Sequence, residues 1–184
     1  MIKINTRKIA FSGIVAALYA ALTIALAFIS YGPIQFRVAE ALCILPFFFP
    51  SSVWGLFVGC IVANLISPYP LDIIVGAVAS LLAALSTMLI GRLGRERLSV
   101  KILACLPPVI FNAVFIGALI AYYMVSDGET NAFMSAFLLN GFQVGFGQLV
   151  VLYALGLPLM IYLPKSRVFN KLSDFYKEPY HHEG

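Results

Sequence analysis

The stretch from Tyr31 to Pro50 reads YGPIQFRVAEALCILPFFFP. Its Gly-Pro break ends a preceding apolar helix, because proline cannot continue the helical hydrogen-bond ladder. Arg37 and Glu40 are three residues apart, and in a helix they lie on one face. Ionisable groups in such apolar surroundings are energetically costly, which indicates a function for them. We interpret the rest of the chain as helices that surround this segment.

Composition indicates an integral membrane protein. The 184 residues are 61% hydrophobic and 11% charged, whereas a soluble domain carries about 25% charged residues. No basic stripe with interleaved aromatics accompanies the net charge of +4, so nucleic acid is not predicted as a partner. The N-terminal apolar run exceeds the hydrophobic region of a signal peptide and is expected to be retained as a spanning helix. The three cysteines are interpreted as small buried hydrophobes.

The fold predicted from these patterns is all-α, with six transmembrane helices. The predicted helices cover about 6–30, 36–49, 51–67, 70–90, 102–125 and 131–163. They form a membrane domain over 1–165, followed by a peripheral tail over 166–184 that contains His181 and His182. Eleven of the twelve Lys and Arg residues fall on the side of the two termini. The positive-inside rule therefore predicts a multi-pass protein of the cell membrane, in contact with lipid, with both termini cytoplasmic.

The first helix carries small residues at four-residue spacing. Gly13, Ala17 and Ala21 form one register, and Ala16 and Ala20 form a second register beside it. Such a stripe allows the backbone of another helix to approach closely. The other helix can belong to a partner chain or to the bundle itself, and the spacing alone leaves both open.

Polar and aromatic residues near the outer ends of several helices predict a substrate pocket that opens to the outside. Each polar group needs a partner where water is absent. The loop from Tyr31 to Arg37 is predicted to cover the pocket as a lid. The candidate binding residues are Arg37, Glu40, Asn64, Asp72, Asn112, Asn140 and Gln143, together with the aromatic residues Phe36, Trp54 and Tyr123.

A structural role stays open for several of these residues. Asn64 and Asn112 can form interhelical hydrogen bonds. Asp72 begins a helix and can cap it. Glu40 can form a purely structural ion pair with the arginine three residues before it. Trp54 lies near a helix end and can anchor that helix at the membrane interface.

The sequence lacks the constellations that enzymes use. It contains no phosphate-binding loop, no metal-ligand spacing and no nucleophile with a nearby base, and both histidines lie in the tail. The chain is therefore predicted to have no catalytic residues, metal site or cofactor. If it moves solute by ATP hydrolysis, the ATPase is on another chain.

Three motifs resemble the QueT family of substrate-binding S components of energy-coupling factor transporters. They are IQFRVAEALCILPFFF (34–49), GLFVGCIVAN (55–64) and LDIIVG (71–76). The resemblance implies an S-component bundle of six helices that binds a 7-deazaguanine queuosine precursor (queuine, preQ1 or preQ0) from outside. It also implies association with a coupling transmembrane subunit and two cytoplasmic ATPase subunits, with the small-residue stripe facing the coupling subunit.

The chemistry of a 7-deazaguanine ring agrees with the candidate residues. A carboxylate accepts hydrogen bonds from the adjacent N–H donors of the ring. Amides or arginine donate to the ring carbonyl, and aromatic side chains stack on the flat face. Similar side chains would bind thiamine or riboflavin, so an S component for another vitamin remains an alternative. An autonomous carrier or channel and a membrane scaffold are the alternatives from other classes.

Overall fold

The computed structural model describes residues 6–31 and 34–177. The regular structure of these residues is helical throughout. Four helical segments are long and apolar enough to cross a membrane: Thr6–Ala25, Asp72–Leu93, Leu98–Ser126 and Phe133–Lys165. The predicted Gly32-Pro33 break and the histidine pair at 181–182 lie outside the described residues.

Nine α-helices are present in the described parts of the chain. They are α1 Thr6–Ala25, α2 Ala27–Ser30, α3 Ser52–Asn64, α4 Asp72–Ile90, α5 Leu98–Ala104, α6 Leu106–Ser126, α7 Phe133–Val151, α8 Leu157–Tyr162 and α9 Arg167–Lys177. Stretches of 3₁₀ and π helix lie between these α-helices. They are the 3₁₀ stretches Val38–Phe47, Gly91–Leu93 and Leu163–Lys165 and the π-helical stretch Leu152–Gly156.

The long helices pack side by side as an arc. Helix α1 packs against α3, α3 against α4, α4 against α6, and α6 against α7. The 3₁₀ helix Val38–Phe47 lies inside this arc and contacts α1, α3, α4 and α7. The segment that the sequence singled out is therefore the centre of the molecule.

This central helix differs from the predicted α-helix over 36–49. It is ten residues of 3₁₀ helix, although such helices rarely exceed three or four residues. Pro46 has no N–H for an α-type bond to Leu42, and the tighter 3₁₀ helix suits a segment enclosed on several sides. Seven of the ten residues are buried, as expected for a helix that is apolar all round.

The other predicted helices differ from the observed ones mainly at their ends. The first helix divides at Leu26, and the fifth begins at Leu98 and breaks at Cys105, before a Pro-Pro pair. The observed helices at the predicted second and third positions, Val38–Phe47 and Ser52–Asn64, are too short for a straight span of ~30 Å. Four of the six predicted spans thus have the length of a membrane helix.

The part of the tail that the structure describes, helix α9, packs on the bundle. Helix α9 places Phe169 with its ring 5.2 Å from that of Phe48 and 5.3 Å from that of Phe49. The Ser51 N–H donates to the Tyr176 hydroxyl at 3.1 Å. The strongly amphipathic sequence of α9 explains this packing, because its apolar face needs a surface to cover.

The two registers of the α1 stripe have different surroundings. Gly13, Ala17 and Ala21 are exposed, and a Cβ built on Gly13 meets nothing within 4 Å. Ala16 and Ala20 face α3 instead, where a Cβ on Gly59 would lie 2.8 Å from the Ala16 carbonyl oxygen. Both registers were predicted as a partner interface, and the second one is occupied by the protein's own α3.

The bundle has two chemically distinct ends. We call the end that contains residues 34–37, 65–71 and 127–132 the pocket end, and the end that contains residues 91–97 and 163–177 the basic end. Lys8 at the start of α1 and Arg95 line one cavity at the basic end. The start of α1, the basic linker and α9 therefore lie together at this end.

Candidate ligand-binding site

A cavity of about 240 Å³ lies at the pocket end. This volume is slightly below the roughly 300–1,000 Å³ of drug-sized sites, so it suits a compact ligand. Its walls combine a carboxylate, two amides, two phenols and two apolar side chains. The lining residues are Tyr31, Gln35, Tyr69, Ile120, Met124, Glu129 and Asn140.

Close packing of α6 on α7 positions one wall of this cavity. A Cβ on Gly117 would lie 2.6 Å from the Cα of Gly141, so the two backbones touch at this crossing. Glycine permits this approach because it has no side chain. Asn140, beside the crossing, donates from Nδ2 to the Ala136 carbonyl at 2.8 Å and to the Met124 sulfur at 3.3 Å. Its amide oxygen has no partner among the described residues and lines the cavity.

Gln35 forms another part of the lining. The loop that carries it packs on α7, where a Cβ on Gly147 would lie 2.6 Å from the Gln35 carbonyl oxygen. The Gln35 residue is only 3% exposed, yet its side-chain amide bonds to no described residue. Its amide atoms are not among the buried polar atoms without a partner, so they are open to the cavity. An unpartnered amide on a cavity wall is therefore a candidate to bind a ligand.

Glu129 and Tyr69 complete the polar lining. Glu129 lies in the turn between α6 and α7, and its N–H donates to the Met124 carbonyl at 2.9 Å. Burial, followed by the carboxylates of Glu129, Asp127 and Asp72, raises the pKa of Tyr69 above its ordinary value. The Tyr69 phenol is therefore protonated at neutral pH and available as a donor.

Tyr123, a predicted binding residue, supports Tyr69 from behind. The two rings are 5.0 Å apart at an angle of 33°. The Tyr123 hydroxyl accepts a hydrogen bond from the Leu71 N–H at 3.3 Å. Of the ten residues predicted to bind substrate, Asn140 lines this cavity and Tyr123 lies behind its wall.

Three other predicted residues form a buried cluster around Asp72. The Arg37 Nη2 atom is 3.4 Å from Asp72 Oδ2, and the Ser67 hydroxyl donates to the same oxygen at 3.0 Å. Asn64 Nδ2 donates to the Asp72 carbonyl at 2.8 Å. Asp72 does not cap α4, since Leu71 occupies that position without a side-chain cap. We call Arg37, Asn64, Ser67 and Asp72 the Arg37–Asp72 cluster.

Glu40 does not pair with Arg37. Arg37 has φ −81° and ψ 88°, outside the helix, so the three-residue spacing does not bring the two side chains together. Glu40 accepts a hydrogen bond from the Tyr19 hydroxyl at 2.5 Å and another from the Cys43 thiol at 3.0 Å. It is fully buried, and it is not among the residues that line the pocket-end cavity.

The remaining predicted residues are dispersed. Asn112 is buried in α6 with an unpaired Nδ2, Gln143 is partly exposed on α7, and Phe36 is partly buried in the loop before the 3₁₀ helix. Trp54 is 63% exposed, and its ring is 6.4 Å from that of Phe57. Its exposure agrees with the alternative of a membrane anchor rather than a pocket wall.

The sequence reading left out four of the residues that line the cavity. Tyr31 and Gln35 belong to the loop predicted as a lid, and Glu129 and Tyr69 are not among the predicted binding residues. The available signal was position, because each of these residues lies in a connection at the same predicted end of the bundle.

Comparisons with known proteins agree with the predicted resemblance. The family model described as QueT transporter matches residues 9–165. The Queuosine precursor transporter QueT of Lactococcus lactis subsp. cremoris (strain MG1363) is 43% identical over 83 residues. That match covers 44% of this chain and 49% of the relative, so the chain spans about half the length of the curated relative it matches. No solved structure matches the chain.

The family match covers most of the chain, including every lining residue of the pocket-end cavity. It also covers all four segments with the length of a membrane helix apart from the first three residues of α1. The resemblance predicted from the three sequence motifs is confirmed: this chain belongs to the QueT transporter family.

Proposed function

We propose that the protein binds a 7-deazaguanine queuosine precursor in the pocket-end cavity, as the substrate-binding subunit of an importer. The observation that carries the proposal is that Gln35, whose side-chain amide bonds to no described residue, lines one compact cavity together with Asn140, Glu129 and Tyr69. The family match and the name of the Lactococcus relative support the substrate class.

The lining residues suit the polar edge of this ring. The Glu129 carboxylate accepts from the adjacent ring N–H and amino groups, which fit its two oxygens. The Gln35 amide donates to the ring carbonyl, and the Tyr31 and Tyr69 rings face the aromatic plane. Ile120 and Met124 supply an apolar surface, as small-molecule sites usually do.

The positive-inside rule orients this site. Lys and Arg are concentrated at the basic end, so that end faces the cytoplasm and the pocket end faces outward. Substrate then enters from outside. Both termini lie at the cytoplasmic side in this arrangement.

Titration calorimetry in lipid nanodiscs tests the substrate proposal, with queuine, preQ1 and preQ0 as ligands and thiamine and riboflavin as competitors. Glu129→Gln should weaken binding roughly ten- to a hundredfold, because a hydrogen bond to a charged group contributes about 1.5–3 kcal/mol. Asp127→Asn removes the same charge from the same turn but not from the cavity lining. It should change affinity by no more than about twofold, since screening weakens distant charges.

Two results would contradict the site. Equal losses in the Glu129 and Asp127 variants would mean that the turn acts only through its overall charge. Binding of thiamine or riboflavin in preference to every 7-deazaguanine would assign the cavity to another vitamin.

Energy for transport comes from other chains in this proposal: a coupling transmembrane subunit and two ATPase subunits. The exposed register Gly13, Ala17 and Ala21 supports a close helix contact with the coupling subunit. Ala17→Leu should reduce co-purification of that subunit while substrate binding persists. Ala154→Leu, which enlarges an exposed alanine in the segment that follows α7, is the matched control and should have no effect. Loss of substrate binding in Ala17→Leu with normal co-purification would contradict this interface.

A further inference from the structure

A second cavity, of about 500 Å³, lies at the basic end of the bundle. We call it the basic-end cleft. It is assembled from the start of α1, the residues around Pro50, the basic linker with α5, and α9. Its lining residues are Lys8, Phe48, Phe49, Pro50, Arg95, Glu96, Lys101, Pro164, Phe169, Ser173 and Tyr176.

Lys101 is the unusual member of this lining. It is only 9% exposed, and its ammonium group forms no ion pair or hydrogen bond with any residue that the structure describes. Glu96 lines the same cleft without pairing with it. Its aliphatic stem is buried, while its ammonium nitrogen is not among the buried polar atoms without a partner, so the charge is open to the cleft. Among the described residues, no anion compensates this charge.

Two further cations border the same space. Lys8 has its ammonium group 5.3 Å from the centroid of the Tyr176 ring, and Arg95 is exposed at the rim. The cleft therefore presents three cations and one carboxylate, a balance that favours an anionic group. Phosphate oxygens suit such a set, because one phosphate accepts from several donors at once.

The surroundings of the cleft indicate a lipid source for that phosphate. Leu93 and Leu98 flank the linker and are exposed, as are Val168 and Phe175 on α9. The cleft also lies at the ends of segments long enough to cross a membrane. An amphipathic helix with basic residues at such a level lies where phospholipid headgroups are.

We propose that the basic-end cleft binds the headgroup of an anionic phospholipid, with its phosphate at Lys101 and supported by Lys8 and Arg95. The apolar side chains around the cleft then contact the upper acyl chain. Helix α9 forms the wall that closes over the headgroup. This site is distinct from the substrate cavity, and the proposal does not depend on which compound the protein transports.

Native mass spectrometry of the purified protein tests the site, with phosphatidylglycerol and phosphatidylcholine added in equal amounts. The parent should retain phosphatidylglycerol preferentially. Lys101→Gln should reduce that preference roughly five- to tenfold, as expected for loss of one cation at an anionic headgroup. Arg97→Gln is the matched control, because it removes an exposed cation of the same linker that does not line the cleft. It should leave the preference unchanged.

Arg95→Gln provides a second variant whose exposed position makes misfolding no concern, and it should reduce the preference in the same direction. Equal retention of both lipids by the parent overturns the proposal, and so does an equal effect of Lys101→Gln and Arg97→Gln. Inorganic phosphate and glycerol phosphate distinguish the source of the phosphate. If either displaces the lipid at comparable concentration, the cleft is a site for soluble anions and the lipid assignment is wrong.

Discussion

Two sets of buried polar side chains lie near each other at the pocket end, and they differ in what they contact. In the Arg37–Asp72 cluster, the Asp72 carboxylate contacts Arg37 and Ser67, and the Asn64 amide donates to the Asp72 backbone carbonyl. Around the cavity, the Gln35 amide and the Asn140 amide oxygen face open space. Three buried atoms of the cluster also lack a hydrogen-bond partner among the described residues: Arg37 Nε, Asn64 Oδ1 and Asp72 Oδ1. A charge or a missing partner is therefore not by itself a sign of substrate contact, and the two sets differ in whether their polar groups line a cavity.

The strongest test of this comparison breaks the ion pair of the cluster. Arg37→Met leaves the Asp72 carboxylate buried without its cation, which should reduce the free energy of unfolding by about 3–5 kcal/mol. Thermal unfolding of the purified protein, followed by circular dichroism, measures the loss. The double variant Arg37→Met/Asp72→Leu should recover much of it, because no charge is then left unpaired. A loss below about 1 kcal/mol in the single variant would show that the pair is not structural.

A matched pair of amides sharpens the comparison. Gln35→Leu removes a side chain that has no partner in the protein, so substrate affinity should fall about five- to tenfold with stability unchanged. Asn64→Leu removes the bond to the Asp72 carbonyl, so stability should fall by about 1–3 kcal/mol. Titration calorimetry and thermal unfolding are measured on both variants. A larger affinity loss in Asn64→Leu than in Gln35→Leu would place the substrate in the cluster instead.

The smallest expected effect concerns Glu40. Glu40→Gln keeps an acceptor for the Tyr19 hydroxyl but converts a charge-assisted bond into a neutral one, so stability should fall by about 1 kcal/mol. Substrate affinity should change by no more than about twofold, because the residue does not line the cavity. Thermal unfolding measures the stability, and titration calorimetry measures the substrate affinity. A tenfold loss of affinity at unchanged stability would return Glu40 to the binding site.

The sequence predicted the membrane class and the family. It could not separate the cluster from the cavity, because Asp72 and Glu129 are both carboxylates near helix ends and differ only in their neighbours. The two registers of α1 were likewise indistinguishable, since both repeat small residues every four positions. The sequence also could not predict that the central helix is a 3₁₀ helix. Its residues are apolar on nearly every side, so they show no hydrophobic periodicity from which the helix type could be inferred.

The 3₁₀ form of the central helix also fixes a distance. At about 2.0 Å per residue its ten residues extend about 20 Å, as far as the thirteen residues of α3 at about 1.5 Å each. The segment acts as a spacer between Arg37, two residues after Gln35 of the pocket-end cavity, and Phe48 and Phe49, which line the basic-end cleft. Rewinding it as an α-helix would shorten it by about 5 Å. The separation between the two cavities is therefore set by the pitch of one short helix.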